Sequence, residues 1–205
     1  TGIHNLGIGT AALSCNTTGG CNLAIGNNAL KTNTIGCHNI GIGAQALEKQ
    51  TTGSNNVAVG GMAGACTTTG ADNVVMGSRA LCANTIGCRN TAVGRESMRL
   101  NTTGTHNAAL GYQSLCKNTI GEYNTALGSN TLANNTTGHS NTAVGRSALL
   151  TNTTGINNTA VGKDSMLSNT VGICNVAIGH SSLKQLTTGK GNVAIGTCAL
   201  TTNAT

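Results

Sequence analysis

An asparagine recurs every 17 residues along the whole chain of 205 residues, from Asn5 to Asn192, without an insertion or a deletion. A glycine stands four residues after each of these asparagines, and another stands three residues before it. A fixed period of this kind is typical of repeat proteins in which each copy is one structural unit that stacks on the next. We therefore expect a single repeat domain over residues 1–205, and we expect it to be a segment of a longer fibre protein.

The 17 columns, numbered from the recurring asparagine, follow the consensus N-x-A-[IVL]-G-x-x-[AS]-L-x-x-N-T-[TI]-G-x-x. Every Asp, Glu, Lys, Arg, His, Tyr and Cys falls in three variable pairs, columns 6–7, 10–11 and 16–17. We expect these pairs to be solvated corners and the stretches between them to be packed sides. Helical hairpin repeats need about 34 residues and leucine-rich repeats about 20 or more. The short period therefore predicts an all-β fold, a parallel β-solenoid (β-roll) with one coil per repeat and twelve coils.

The large aliphatic residues concentrate in columns 4 and 9. Because the chain has no Phe or Trp, the core must be narrow and built from aliphatic side chains. We expect columns 2, 4 and 9 to point into the coil. The core residues predicted in this way are Ile8, Ile25, Ile42, Val59, Val93, Val144, Val161, Ile178, Ile195, Leu13, Leu30 and Leu149.

Column 3 accepts only small residues, with Ala in nine copies, Gly in two and Val in one. Alternate side chains of a strand point to opposite faces, so this column is expected outside the coil. A solvated face would tolerate Lys or Glu, so either a neighbouring chain packs over column 3 or the coil is flattened enough to bury it. We expect another copy of the chain, in a homotrimer or filament. The predicted inter-chain face contains Ala92, Ala109, Ala126 and Ala143.

The segments Asn141-Thr-Ala-Val-Gly-Arg-Ser-Ala148 and Asn192-Val-Ala-Ile-Gly-Thr-Cys-Ala199 resemble the head repeats of trimeric autotransporter adhesins. The longer segment Asn124–Gly138 resembles repeats of phage tail fibres and of viral or algal surface fibres. The resemblance extends over all twelve repeats, although adhesin head repeats are typically a few residues shorter. It implies a left-handed parallel β-roll, packed as three chains with the small-residue face toward the other chains.

The sequence predicts no catalytic, cofactor or metal site, and we expect the protein not to be an enzyme. The acidic residues never pair at a spacing suited to acid–base chemistry; they are Glu48, Asp72, Glu96, Glu122 and Asp164. His4, Cys21 and His38 share column 17 in consecutive coils and could form a metal-binding ladder. Chance coincidence of variable corner residues is the simpler interpretation.

Nine cysteines all lie in corner columns. Cys15 and Cys21 flank one Asn-Thr-Thr-Gly corner, and Cys82 and Cys88 flank the equivalent Asn-Thr-Ile-Gly corner. Disulfides at these four residues are compatible with an oxidising compartment. Because the count is odd, at least one thiol stays unpaired within the segment.

The net charge of +6 is mild and dispersed, which argues against a nucleic-acid partner because such proteins cluster Lys and Arg. No apolar run approaches the roughly 20 residues that span a bilayer, so membrane insertion is not expected. We expect a structural or adhesive segment of an extracellular, cell-surface or virion fibre, which acts as a spacer or presents a surface to a host-cell or glycan receptor. The alternative is an ice-binding solenoid, which the consecutive threonines of columns 13 and 14 disfavour because they point to opposite faces.

Overall fold

The structure is a computed structural model that describes residues 2–201. Each repeat contributes one three-residue strand, and the chain divides into two compact units, Thr1–Thr103 and Gly104–Thr205. The first unit contains β1 (Leu6–Ile8), β2 (Leu23–Ile25), β3 (Ile40–Ile42), β4 (Val57–Val59), β5 (Val74–Met76) and β6 (Thr91–Val93). The second contains β7 (Ala108–Leu110), β8 (Thr125–Leu127), β9 (Thr142–Val144), β10 (Thr159–Val161), β11 (Val176–Ile178) and β12 (Val193–Ile195). A single domain over residues 1–205 stays a prediction.

Within each unit the strands form one parallel sheet in chain order. The register pairs residues 17 positions apart, such as Leu6 with Leu23 in the first unit and Thr142 with Thr159 in the second. The predicted parallel β-solenoid with one 17-residue coil per repeat is therefore confirmed. Residues 2–201 contain no helix long and apolar enough to cross a membrane.

The strands alternate in burial, but with the opposite sense to the one predicted. In β2 to β12 the central residue, column 3, is buried, whereas no first or third residue of any strand is buried. Columns 2 and 4 therefore face outward, and column 3 faces the interior of the coil.

The predicted core residues of column 4 are therefore wrong. Ile8, Ile178 and Ile195 are 53%, 40% and 70% exposed. The other six predicted in this column are only half-buried, namely Ile25, Ile42, Val59, Val93, Val144 and Val161. In column 9 the prediction is confirmed for Leu30 and Leu149, which are fully buried, while Leu13 is half-buried.

The predicted inter-chain face is also wrong, because its alanines line the inside of their own coil. Ala92, Ala109, Ala126 and Ala143 are at most 1% exposed within the single chain. The physical reason is a narrow interior: a Cβ on Gly41, in the same column, would lie 3.2 Å from the Ala46 carbonyl oxygen. Only a small side chain fits there, so the flattened coil, and not a neighbouring chain, explains the small residues of column 3.

The turns before and after each strand depend on residues with positive φ. Columns 7, 9 and 17 adopt the left-handed conformation in nearly every coil, as at Ser147 (φ 58°), Leu149 (φ 50°) and Tyr123 (φ 56°). β-branched residues are strongly disfavoured in this conformation, and none occurs in these three columns among the described residues. This requirement explains why column 9 carries Leu, Met or, at Gly64, glycine, and never Ile or Val.

The recurring asparagines of column 1 form a buried ladder within each unit. The Asn141 Nδ2 donates to the Gly155 carbonyl at 2.8 Å and to the Asn124 Oδ1 at 3.2 Å. The Asn141 Oδ1 in turn accepts the backbone N–H of Asn158 at 3.0 Å. This ladder satisfies polar groups that the coil would otherwise bury without partners.

A second ladder runs through column 12. The Asn152 Nδ2 donates to the Asn135 Oδ1 at 2.8 Å and to the Gly155 carbonyl at 3.1 Å. Glycine is required in column 15 because a Cβ on Gly138 would come within 2.5 Å of the Gly155 oxygen. The two ladders therefore converge on one glycine carbonyl where column 12 carries an amide, whereas Thr67 and Leu186 interrupt the second ladder.

Candidate interaction face

The outward side chains of columns 2 and 4 form a continuous surface on the sheet of each unit, which we name the outer β-face. In the first unit it comprises Leu6, Ile8, Leu23, Ile25, Ile40, Ile42, Val57, Val59, Val74, Met76, Thr91 and Val93. In the second unit it comprises Ala108, Leu110, Thr125, Leu127, Thr142, Val144, Thr159, Val161, Val176, Ile178, Val193 and Ile195. All of these residues are exposed or half-buried.

The outer β-face is uncharged along its whole length. Four of its residues are Thr, and the others are aliphatic, Met or Ala, although the chain carries sixteen Asp, Glu, Lys and Arg residues in its corners. Contiguous exposed apolar patches with a polar rim are typical of interaction sites. This face is therefore the candidate functional site of the described residues.

The size of the face follows from sheet geometry. Six strands about 4.8 Å apart, with side chains covering a width of about 10 Å, give roughly 290 Å² of flat surface in each unit. This area is close to that of the largest apolar patch on a typical monomer, about 300–600 Å². The face is thus a flat repeating surface and not a pocket.

Three of the twelve residues in column 6, directly after the strand and its glycine, are charged, namely Arg95, Arg146 and Lys163. Arg95 contacts Glu96 at 3.5 Å, and Lys163 contacts Asp164 at 3.6 Å. These pairs are partly exposed, so each contributes little to stability. The charges beside the face are therefore few, and most of column 6 is uncharged.

The nine cysteines are free thiols in this structure, including Cys15, Cys21, Cys82 and Cys88, the four that the sequence offers as possible disulfide partners. The Cys88 sulfur instead bridges two coils, since it accepts the backbone N–H of Ala71 at 3.3 Å and donates to the Ile86 carbonyl at 3.3 Å. The thiol therefore acts as a corner hydrogen-bonding group.

Cys82 lies beside Cys66 in the neighbouring coil, where the Cys66 backbone N–H donates to the Cys82 carbonyl at 3.0 Å. Burial raises the pKa of the Cys82 thiol, and the charge of a Cys66 thiolate would raise it further. Arg79, Arg99 and Lys49 act in the opposite direction and lower it. The net effect keeps Cys82 protonated at a pH where an ordinary thiol begins to ionise.

Residues 2–201 contain no group of three or more His, Cys, Asp or Glu side chains that could hold a metal ion. His4, Cys21 and His38 therefore share a column without forming a set of ligands. Of the acidic residues, Glu96 and Asp164 pair with the basic residue directly before them.

The sequence interpretation missed the outer β-face, although one signal pointed to it. Column 2 accepts Thr in four coils, at Thr91, Thr125, Thr142 and Thr159. A hydroxyl buried in a narrow aliphatic core would need a hydrogen-bond partner, so an apolar column that tolerates Thr is better placed at the surface.

The chain matches no protein-family model, no curated protein and no solved structure. The fold defines the class, a β-solenoid repeat protein. The likeness to adhesin and fibre repeats stays a resemblance between motifs, and function is inferred from the fold and the exposed face.

Proposed function

We propose that this chain is a structural repeat segment of an extracellular or virion fibre, and that its copies associate through the outer β-face. The observation that carries the proposal is the uncharged apolar surface that every coil repeats. Water contact with such a surface is unfavourable. A second copy has the same rows at the same strand spacing, so the two surfaces match without further adaptation.

The repetition itself supports association between copies. Each coil exposes about 50 Å² of the face, which corresponds to about 1 kcal/mol per coil and per partner when it is buried. Association costs an estimated 4–15 kcal/mol in translational and rotational freedom. One coil cannot offset this cost, whereas a long array of identical coils can.

A homotrimer is the arrangement that the resemblance to adhesin heads implies. Three copies that turn their outer β-faces toward a common axis would remove the aliphatic rows from water. The contact would then be made by columns 2 and 4, because column 3 is inside the coil. The charged corners would stay in solvent and would be free to vary, as they do in this sequence.

Ice binding is the second candidate, and the flat, regularly spaced, uncharged face favours it. Against it, only four residues of the face are Thr and the remainder are mostly bulky aliphatic side chains. We expect the purified protein to show no thermal hysteresis. A clear hysteresis that is lost in Thr142→Lys would favour ice binding over self-association.

Sedimentation equilibrium tests the proposal directly. We expect the wild-type protein to sediment as a trimer or larger assembly, and Val59→Lys with Val144→Lys to sediment as a folded monomer. The matched control is Ala44→Lys with Ser129→Lys, which adds the same charge in column 6, where Arg95, Arg146 and Lys163 occur naturally. A wild-type monomer, or a control that dissociates equally, would contradict the proposal.

A further inference from the structure

A depression of about 490 Å³ lies at one corner of the second unit. Its lining comes from columns 14, 16 and 17 of two consecutive coils, namely Ile120, Glu122, Tyr123, Thr137, His139 and Ser140. Pockets for small molecules typically enclose about 300–1,000 Å³. The depression is outside the outer β-face, so it can be occupied whether or not that face is covered.

Tyr123, one of the lining residues of the depression, belongs to an aromatic stack. The rings of His106 and Tyr123, which share column 17 in consecutive coils, are stacked with centroids 4.9 Å apart and planes at 15°. One face of the Tyr123 ring is therefore covered by the imidazole. The next residue of the column is Ser140, whose side chain is too short to cover the other ring face, and Tyr123 is 56% exposed.

Polar groups surround this open ring face. Glu122 and His139 lie in column 16 of the two coils, and Thr137 and Ser140 add hydroxyl groups. The Ser140 Oγ and the His139 Nδ1 are 3.3 Å apart, so one orients the other. A carboxylate accepts hydrogen bonds, and a hydroxyl group both donates and accepts them.

We propose that this depression binds a neutral sugar ring stacked on Tyr123. The face of an aromatic ring is electron-rich and attracts the positive edge of C–H bonds, which a pyranose presents on one side of its ring. The hydroxyl groups at the edge of the sugar then donate to the Glu122 carboxylate and exchange hydrogen bonds with Thr137 and Ser140. The carboxylate selects against acidic sugars.

Tyrosine fluorescence provides the first test, because the chain has no Trp and only two Tyr residues. Tyr112→Ser leaves Tyr123 as the sole emitter, and Ser occurs naturally in that column at Ser78 and Ser129. We expect a saturable change with at least one of the methyl β-glycosides of glucose, galactose and N-acetylglucosamine, with a dissociation constant of about 1–10 mM. No response to any of the three glycosides would overturn the proposal. A response to choline, which is a cation, without a response to any of the glycosides would also overturn it.

Saturation-transfer NMR on the methyl glycoside that responds locates the site. Tyr123→Ser is expected to abolish the signal and Tyr123→Phe to keep it.

Ser140→Tyr fills the depression with a residue that this column already carries, and we expect at least a tenfold loss of affinity. Asn157→Tyr is the matched control one coil further on, and it should bind like the wild type. Unchanged binding in Ser140→Tyr would overturn the proposal, and none of these variants alters the outer β-face on which self-association depends.

Discussion

Val75 and Gly64 are exceptions to the repeat in consecutive coils, at places equivalent to those of Gly41 and Leu30. Val75 is the only Val of column 3, and Gly64 is the only Gly of column 9. Two coils earlier these places are held by Gly41 and Leu30, and a Cβ on Gly41 would lie 3.3 Å from the Leu30 Cγ. The larger residue of column 3 thus occurs in the coil directly after the one in which column 9 has lost its side chain.

This relationship predicts non-additive stability. Gly64→Leu alone should destabilise the protein by about 1–3 kcal/mol through overpacking, and Val75→Ala alone should destabilise it by leaving a cavity. The double variant restores the consensus at both places and should be more stable than either single variant, with a coupling of about 0.5–3 kcal/mol. Urea unfolding of the four proteins measures this coupling, and strictly additive effects would show that the two residues do not share space.

The positive φ of column 9 predicts that a β-branched side chain, and not a large one, destabilises the protein at this column. Leu149→Ile places a β-branched residue at φ 50° and should cost about 1–3 kcal/mol. Leu127→Ile makes the same change in strand β8, in a column where Ile occurs naturally, and should stay within about 0.5 kcal/mol. Equal unfolding midpoints for the two variants would contradict the role assigned to the backbone.

The asparagine ladder predicts a large cost for losing one amide. Asn141→Ala removes the acceptor of the buried Asn158 N–H, and leaving such a donor unpaired costs about 1–3 kcal/mol. The control is Asn27→Ala, an exposed change in column 6, where Ala44 already occurs. We expect the control to unfold like the wild type, and similar losses in both variants would argue against a stabilising ladder.

The raised pKa of Cys82 predicts slow and pH-dependent alkylation. The thiolate is the reactive form, so at a pH near 8 iodoacetamide should modify Cys82 several-fold more slowly than the exposed Cys15. Raising the pH through the elevated pKa of Cys82 should bring the two alkylation rates closer together, because the Cys82 thiol then ionises. Mass spectrometry of the labelled peptides gives both rates, and a ratio that does not change with pH would mean that access alone limits Cys82.

The period and the corner columns predicted the coil and its register, because every insertion-free repeat must place equivalent residues on its neighbours. The alternation of the strand was also predictable, since Asn141, Ala143 and Gly145 must share one side. Which side faced inward was not, because the usual expectation that large aliphatic residues are buried fails in a coil too narrow for Val144. The four threonines of column 2 carried that information indirectly, because a hydroxyl group inside the coil would need a hydrogen-bond partner.

The candidate site was less predictable than the fold. The outer β-face could be recognised only from the structure, which places Ala143 inside the coil and Val144 on its outer surface. The stack of His106 and Tyr123 depends on two variable corner residues in consecutive coils, and no column rule specifies it. The left-handed winding and the trimer that the resemblance implies stay predictions.

The isoleucine methyl groups of the assembled protein test the central claim most directly, without any substitution. Ile8, Ile178 and Ile195 lie on the outer β-face, whereas Ile35, Ile86 and Ile120 lie in column 14, and all six are exposed in the single chain. A soluble paramagnetic agent accelerates the relaxation of methyl groups that contact solvent. If copies associate through the outer β-face, the first three methyl groups will be protected and the column 14 methyl groups will relax rapidly. Equal and strong relaxation of all six would show that the face is open to water and would contradict the account.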